Sequence, residues 1–241
     1  MKLYYLDNSG FVLLTDKAAF VWDCWNFPGD AADALLERGY LQKDMLAEKE
    51  RVYLCISHVH GDHFNKRIFD YADAAPYTYV IADADVPVPQ DIRHTLLRPG
   101  EVFDDGYARI TAWDSTDIGV SFLVEAEGKR IFHAGDLNFW HWREESSEQE
   151  IAEAEQLYLQ ALDAMADSMA AGVDLLMFPV DPRMQSDIEA GALIFMRRFA
   201  PKLTVPMHFS NLFDRMAEFY DAYGQEYRIW VPARRGDSKS I

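Results

Sequence analysis

The stretch RVYLCISHVHGDHF, residues 51–64, constrains this chain more than any other. A run of apolar, β-prone residues leads without a break into His58, His60, Asp62 and His63. The run reads as a buried strand. Imidazoles and carboxylates at its end are costly to bury unless something pairs with them. In extended backbone, residues two apart point to the same side, so His58 and His60 present two imidazoles to one point. Gly61 permits a sharp turn, after which Asp62 and His63 swing round toward the same place. Zinc, iron and manganese all accept His and Asp ligands, so the cluster reads as part of a metal site.

The rest of the chain has to frame and complete that site. Its 241 residues suit a single domain over 1–241, with ample material for a core. Cys24 and Cys55 are the only cysteines, too few for a disulfide framework, and Cys55 lies inside the apolar run. The first residues show no signal peptide and no apolar run spans a membrane, so the expected location is the cytoplasm. The net charge of −17 repels a phosphate backbone and argues against nucleic acid as a partner.

KLYYL, GFVLLT and AAFVWDCW read as strands joined by tight turns. Asp30, after a Pro-Gly turn, is expected to cap a short helix. YTYVIADAD and YARITAWDS are further strands, and GVSFLVEAEGKRIFHAGD is a hairpin turning at Glu127-Gly128-Lys129. Beyond residue 145, strands alternate with helices. Ile151, Ala154, Tyr158, Leu162, Met165 and Met169 fall at helical spacing, with a Ser147/Glu150 capping box and a stop at Gly172. DLLMFPVD, KLTVPMHF and YRIWVP read as strands. SDIEAGALIFMRRFA reads as a helix capped by Ser186 and Glu189, and NLFDRMAEFYDAYG as another. Sheets inside and helices outside are the expected arrangement.

Two later strand ends carry ligand-type residues: RIFHAGD reaches Asp136, and LTVPMHF carries His208. SHVHGDH, then HAGD, then PMHF resembles the metallo-β-lactamase-fold superfamily over nearly the whole chain. The likeness is nearest to the branch of small cytosolic metal-dependent hydrolases that includes ascorbate-6-phosphate lactonase. It implies an α/β (α+β) fold, a four-layer αββα sandwich of two mixed β-sheets flanked by helices. It also implies one or two divalent metal ions, zinc first, with manganese or iron as alternatives. In that scheme His58 and His60 bind one metal, Asp62, His63 and His208 bind a second, and Asp136 bridges them. A hydroxide between the metals would be the nucleophile, with Asp62 orienting the water. Asp23 matches the family's early structural aspartate.

The family usually supplies one more histidine before the Gly-Asp, where this chain reads AWDSTDIGVSF. Asp117 is either a replacement oxygen ligand or a turn residue. His133 either approaches the metals or hydrogen-bonds one of their ligands. Asn138 and Trp140 are expected in the substrate pocket, Asp181 and Arg183 are either at its rim or a structural pair at a strand end, and His141 is a candidate general acid. Trp142 is a lesser candidate for the pocket wall. The resulting expectation is hydrolysis of an ester, lactone, amide or phosphodiester in a small molecule, with neither nucleic acid nor membrane as partner. The alternatives are an RNA-processing nuclease, an iron-dependent redox enzyme and a non-catalytic metal-binding protein. True β-lactamases resemble exported proteins, and flavodiiron proteins typically carry Glu where this chain has His60.

Overall fold

The computed structural model of the protein describes residues 1–29 and 35–241, so the cap expected at Asp30 lies outside the described residues. The chain falls into two compact units, Met1–Leu97 with Pro232–Ile241, and Arg98–Val231.

The first unit is built on β1 (Lys2–Asp7), β2 (Gly10–Leu14), β3 (Ala18–Trp22), β4 (Arg51–Ile56), β5 (Tyr77–Asp83) and β6 (His94–Leu97), with a short helix α1 (Lys43–Ala47). The C-terminal Ser238–Ser240, β13 in chain order, adds to β1. The sheet order is β13-β1-β2-β3-β4-β5-β6. β1 to β3 are antiparallel, and β3 to β6 run parallel. The parallel strands are buried on both faces, which explains their near-continuous apolar sequence. One face carries Val21, Val52, Leu54, Ile56 and Val80. The other carries a ladder of rings, Phe20 on Tyr53 at 4.8 Å and Tyr53 on Tyr79 at 5.8 Å, each pair in register across neighbouring strands. Gly10 is required by close approach: a Cβ there would lie 2.9 Å from the Asp7 carbonyl and 3.0 Å from that of Asp23.

The second unit holds β7 (Val102–Asp104), β8 (Ala108–Asp114), β9 (Val120–Ala126), β10 (Lys129–His133), β11 (Leu175–Pro179) and β12 (Thr204–Met207). Their order is β12-β11-β10-β9-β8-β7, antiparallel from β7 to β10 and parallel from β10 to β12. The β9–β10 hairpin closes through Glu127 and Gly128, both at positive φ, as a two-residue turn of primed type requires. Helix α2 (Glu148–Met169) has the expected capping box, and Tyr158, Leu162, Met165 and Met169 are its buried face. Helices α3 (Ala190–Phe199) and α4 (Phe213–Tyr223) complete the unit.

Two expectations are corrected here. The α3 helix begins at Ala190, without a capping box from Ser186 and Glu189. Asp187 takes a left-handed conformation that interrupts the expected first turn, and the Glu189 carboxylate accepts the Tyr223 hydroxyl instead. YRIWVP forms only an isolated bridge, Thr204 to Ile229, rather than a strand. Thr204 uses both its N–H and its C=O on that side. The next residue of β12 facing the same way is Pro206, which has no N–H to continue the ladder. No described helix is long and apolar enough to cross a membrane.

Asp174 ties three parts of the second sheet together. Its carboxylate accepts the Arg130 N–H at 2.9 Å and Lys202 Nζ at 2.8 Å, with Lys129 Nζ at 3.8 Å. Burial works against its charge, but the bonds from Lys202 and the Arg130 N–H outweigh it and hold the carboxyl below its ordinary value. A depressed folded-state pKa adds stability above the unfolded-state value, and that stability is lost as pH falls through the folded-state value. Asp174→Asn should therefore lower stability at pH 7 by about 1–2 kcal/mol. The gap from the parent should close in acid, and urea denaturation across the acid range measures both effects.

Candidate metal centre

In the first unit the histidine cluster follows β4 directly. β3 lies parallel beside β4 with Trp22 opposite Cys55, so Asp23 emerges next to Ser57. Asp23 is fully buried, at positive φ, and its own N–H donates to the Cys55 carbonyl at 3.0 Å. Its carboxylate accepts the Ser57 N–H at 2.8 Å and the Ser57 hydroxyl at 2.7 Å, and lies 2.8 Å from His63 Nδ1. Ser57 Oγ is also 2.9 Å from His58 Nδ1.

These contacts set both tautomers. A carboxylate only accepts, so His63 Nδ1 carries a proton and Nε2 presents its lone pair. The one hydroxyl proton of Ser57 goes to Asp23, so Ser57 accepts from His58 Nδ1–H, and His58 Nε2 also presents a lone pair. That nitrogen lies 3.1 Å from His60 Nδ1. Residues 60–64 close a tight turn through bonds from His63 N–H and Phe64 N–H to the His60 carbonyl. The turn does not depend on Gly61, which is outside the positive-φ region and where a Cβ would meet open space. Asp62 is 40% exposed, 3.8 Å from His63 Nε2, and accepts the Asn8 side-chain N–H at 3.1 Å. Asn8 belongs to the β1–β2 turn, and the only signal for it in the sequence is the turn motif DNSG.

In the second unit three parallel strands end side by side. Asp136 follows β10, Asp181 follows β11, and His208 follows β12. Asp136 Oδ1 lies 3.4 Å from His208 Nε2, and both residues are buried. Trp140 donates its indole N–H to the Asp136 carbonyl at 2.8 Å. Its ring sits at 63° to the His208 ring, 5.6 Å away, and stacks on Trp142 at 5.9 Å. Trp140 thus forms a half-buried wall beside Asp136 and His208.

Several expected site residues have other tasks. Asp181 is fully buried rather than on a pocket rim, and accepts from Arg183 and His208. Burial opposes its ionisation, but those bonds outweigh the penalty and hold its carboxyl below the ordinary value. Arg183 lies beside it, 55% exposed. Asn138 is buried under α3, where a Cβ on Gly191 would fall 1.9 Å from its Oδ1, so it packs rather than lining a pocket. His141 is buried with Nδ1 accepting the Arg143 N–H and Nε2 facing the Asp187 carbonyl at 3.2 Å. Both its nitrogens are engaged by backbone groups, Nε2 donating its proton to the Asp187 carbonyl, which ties two turns together. His133 ends β10 and accepts the Gly135 N–H, bracing the turn that leads to Asp136. Asp117 is an exposed turn residue, lining a hollow against α2 with Asp114 and Leu157. Its neighbour Thr116 is the one that reaches the 136–138 segment, through the Asn138 backbone.

Asp23 is buried away from bulk solvent, so its charge relies on the donors it holds. Asp23→Asn keeps the shape but offers one acceptor oxygen where two were used, and should cost about 1–3 kcal/mol. Denaturation of the metal-free protein measures it. Unchanged stability would show that these bonds do not hold the histidine turn.

No protein-family model matches the chain. A UPF0173 metal-dependent hydrolase from Thermus thermophilus is 24% identical over 249 residues, spanning 95% of this chain and 92% of its own length. Among solved structures, the metallo-β-lactamase fold protein YhfI from Bacillus subtilis matches with a TM-score of 0.63 at 12% identity, over 99% of this chain and 98% of its own. Isothiocyanate hydrolase from Delia radicum gut bacteria matches with a TM-score of 0.59 at 16% identity, over 100% and 99%. Such identities speak for the fold alone, and the two mixed sheets with their flanking helices agree with it. The chain therefore has the metallo-β-lactamase fold.

Proposed function

We propose that this protein is a metal-dependent hydrolase of a small molecule. The observation that carries the reading is the pair of histidines, His58 and His63, whose outward nitrogens are left as lone-pair donors by one buried aspartate. That arrangement is the usual preparation of a metal-ligating imidazole. The Thermus relative, matched along almost its whole length, is named a metal-dependent hydrolase.

In this reading the ligand-type residues for one or two divalent ions are His58, His60, Asp62 and His63 in the first unit, and Asp136 and His208 in the second. The donors are imidazole nitrogens and carboxylate oxygens, a set that suits zinc first and also manganese or iron. Thiolate takes no part, because burial pushes the Cys24 and Cys55 thiols up. When bound, the metal lowers the pKa of water toward neutrality and polarises the oxygen of the bond to be cleaved. Asp62, part exposed and oriented by Asn8, holds the proton of the attacking water. Trp140 walls the side next to His208. The net charge of −17 supports a small molecule over nucleic acid as substrate. Two buried free cysteines suit a reducing cytoplasm.

Metal analysis of protein purified without chelators should give one or two equivalents. Turnover on a panel of esters, lactones, amides and phosphodiesters should vanish on chelation and return with zinc or manganese. His60→Ala should cut turnover by at least about 100-fold. Full activity after exhaustive chelation, or protein that takes up no metal at all, would sink the reading.

A further inference from the structure

His208 sits at a demanding backbone position. Its φ is 64°, the left-handed region that a bulky residue rarely takes. Its ring is gripped from behind. β11 and β12 are parallel, with Pro179 opposite Met207, and the Val180 N–H donates to the Met207 carbonyl. Asp181 therefore arrives beside His208, with Oδ2 3.0 Å from His208 Nδ1.

Asp181 is itself clamped. Arg183 places Nε 3.1 Å from Oδ1 and 2.9 Å from Oδ2, and Nη2 2.6 Å from Oδ2, while the Arg183 backbone N–H reaches Oδ1 at 2.9 Å. The carboxylate cannot rotate without losing these bonds. Arg183 Nη2 also lies 3.2 Å from His208 Nδ1. Two groups thus compete for that nitrogen: a carboxylate that can only accept and a guanidinium that can only donate. The guanidinium nitrogen is closer to Asp181, and the carboxylate is closer to the ring. Nδ1 therefore keeps its proton and donates it to Asp181, which leaves Nε2 as the ring nitrogen that faces Asp136.

We propose that Asp181, held in plane by Arg183, is a positioning residue that fixes His208 as an Nε2 metal ligand. This rests on the metal-centre reading above. Asp181 acts through the ring of His208, and the guanidinium of Arg183 acts through the carboxylate of Asp181.

Asp181→Asn is the diagnostic change. The amide oxygen in the Oδ1 place keeps the Arg183 backbone N–H and Nε, so the cap of the 182–184 turn survives, while Nη2 loses its acceptor at Oδ2. Its NH2 is then left facing His208 Nδ1, where it donates. The ring proton moves to Nε2 and masks the ligating lone pair, the same wrong-tautomer logic that applies to a catalytic Asp-to-Asn change. Nitrogen-15 NMR of the metal-free protein at pH 8 reads the ring directly. In the parent, His208 should carry a proton on Nδ1; in Asp181→Asn, on Nε2 with Nδ1 bare. Titration with Zn(II) against a chromophoric chelator should show one equivalent weakened by about 10–100-fold in the variant.

A bare Nδ1 in the parent overturns the proposal, and that spectrum needs no variant to fold. So does a variant that binds zinc as tightly as the parent. A parent that takes up no zinc defeats the hydrolase reading instead, and the ring spectra still decide whether Asp181 sets the proton.

Discussion

One buried carboxylate organises the first unit's end of the fold. Asp23 has no solvent, so its charge is tolerable only because donors surround it, and those donors are Ser57 and His63. Each bond serves twice. It satisfies Asp23, and it fixes a side chain of the turn that carries the ligand-type residues. Loss of the carboxylate would leave a buried serine and two imidazoles of undefined tautomer on a turn held by its own backbone bonds and by Asn8.

The parallel strands make this possible. Side by side with ends aligned, β3 and β4 bring residues 23 and 57 together, and β11 and β12 do the same for 181 and 208. Both pairs join a carboxylate to the next strand's histidine or its neighbour. Crevices at the carboxyl ends of parallel strands are where open α/β sheets place their chemistry, and the reason is visible here. Backbone pairing stops there, so side chains take over as the partners of one another.

Much of this was legible in the residues. Apolar runs marked most strands, and the Ser147/Glu150 box marked the start of α2. These signals are local: a strand's apolar run or a helix cap depends on residues within a few positions of each other. The misreadings are equally physical. Ser186 and Glu189 have capping-box spacing, but spacing cannot show that Asp187 turns left-handed or that Tyr223 claims the glutamate. YRIWVP has strand composition, but its ladder ends at Pro206 of another segment. His141 and Asn138 follow Asp136 closely in sequence, and proximity to a ligand-type residue suggested the pocket. Their side chains turn instead into the packing beneath α3 and the 187 turn.

By itself the sequence determined the chemical inventory: imidazole and carboxylate donors after the apolar strand of residues 51–56, further ones at Asp136 and His208, and an acidic net charge. Only the tertiary structure decided how those donors are held. Asn8 on Asp62, Ser57 between Asp23 and His58, and Asp181 behind His208 are contacts whose partners include residues 54 and 27 positions apart. Such pairs carry no local signature, because the register of parallel strands brings them together, and that register is set by burial over the whole sheet.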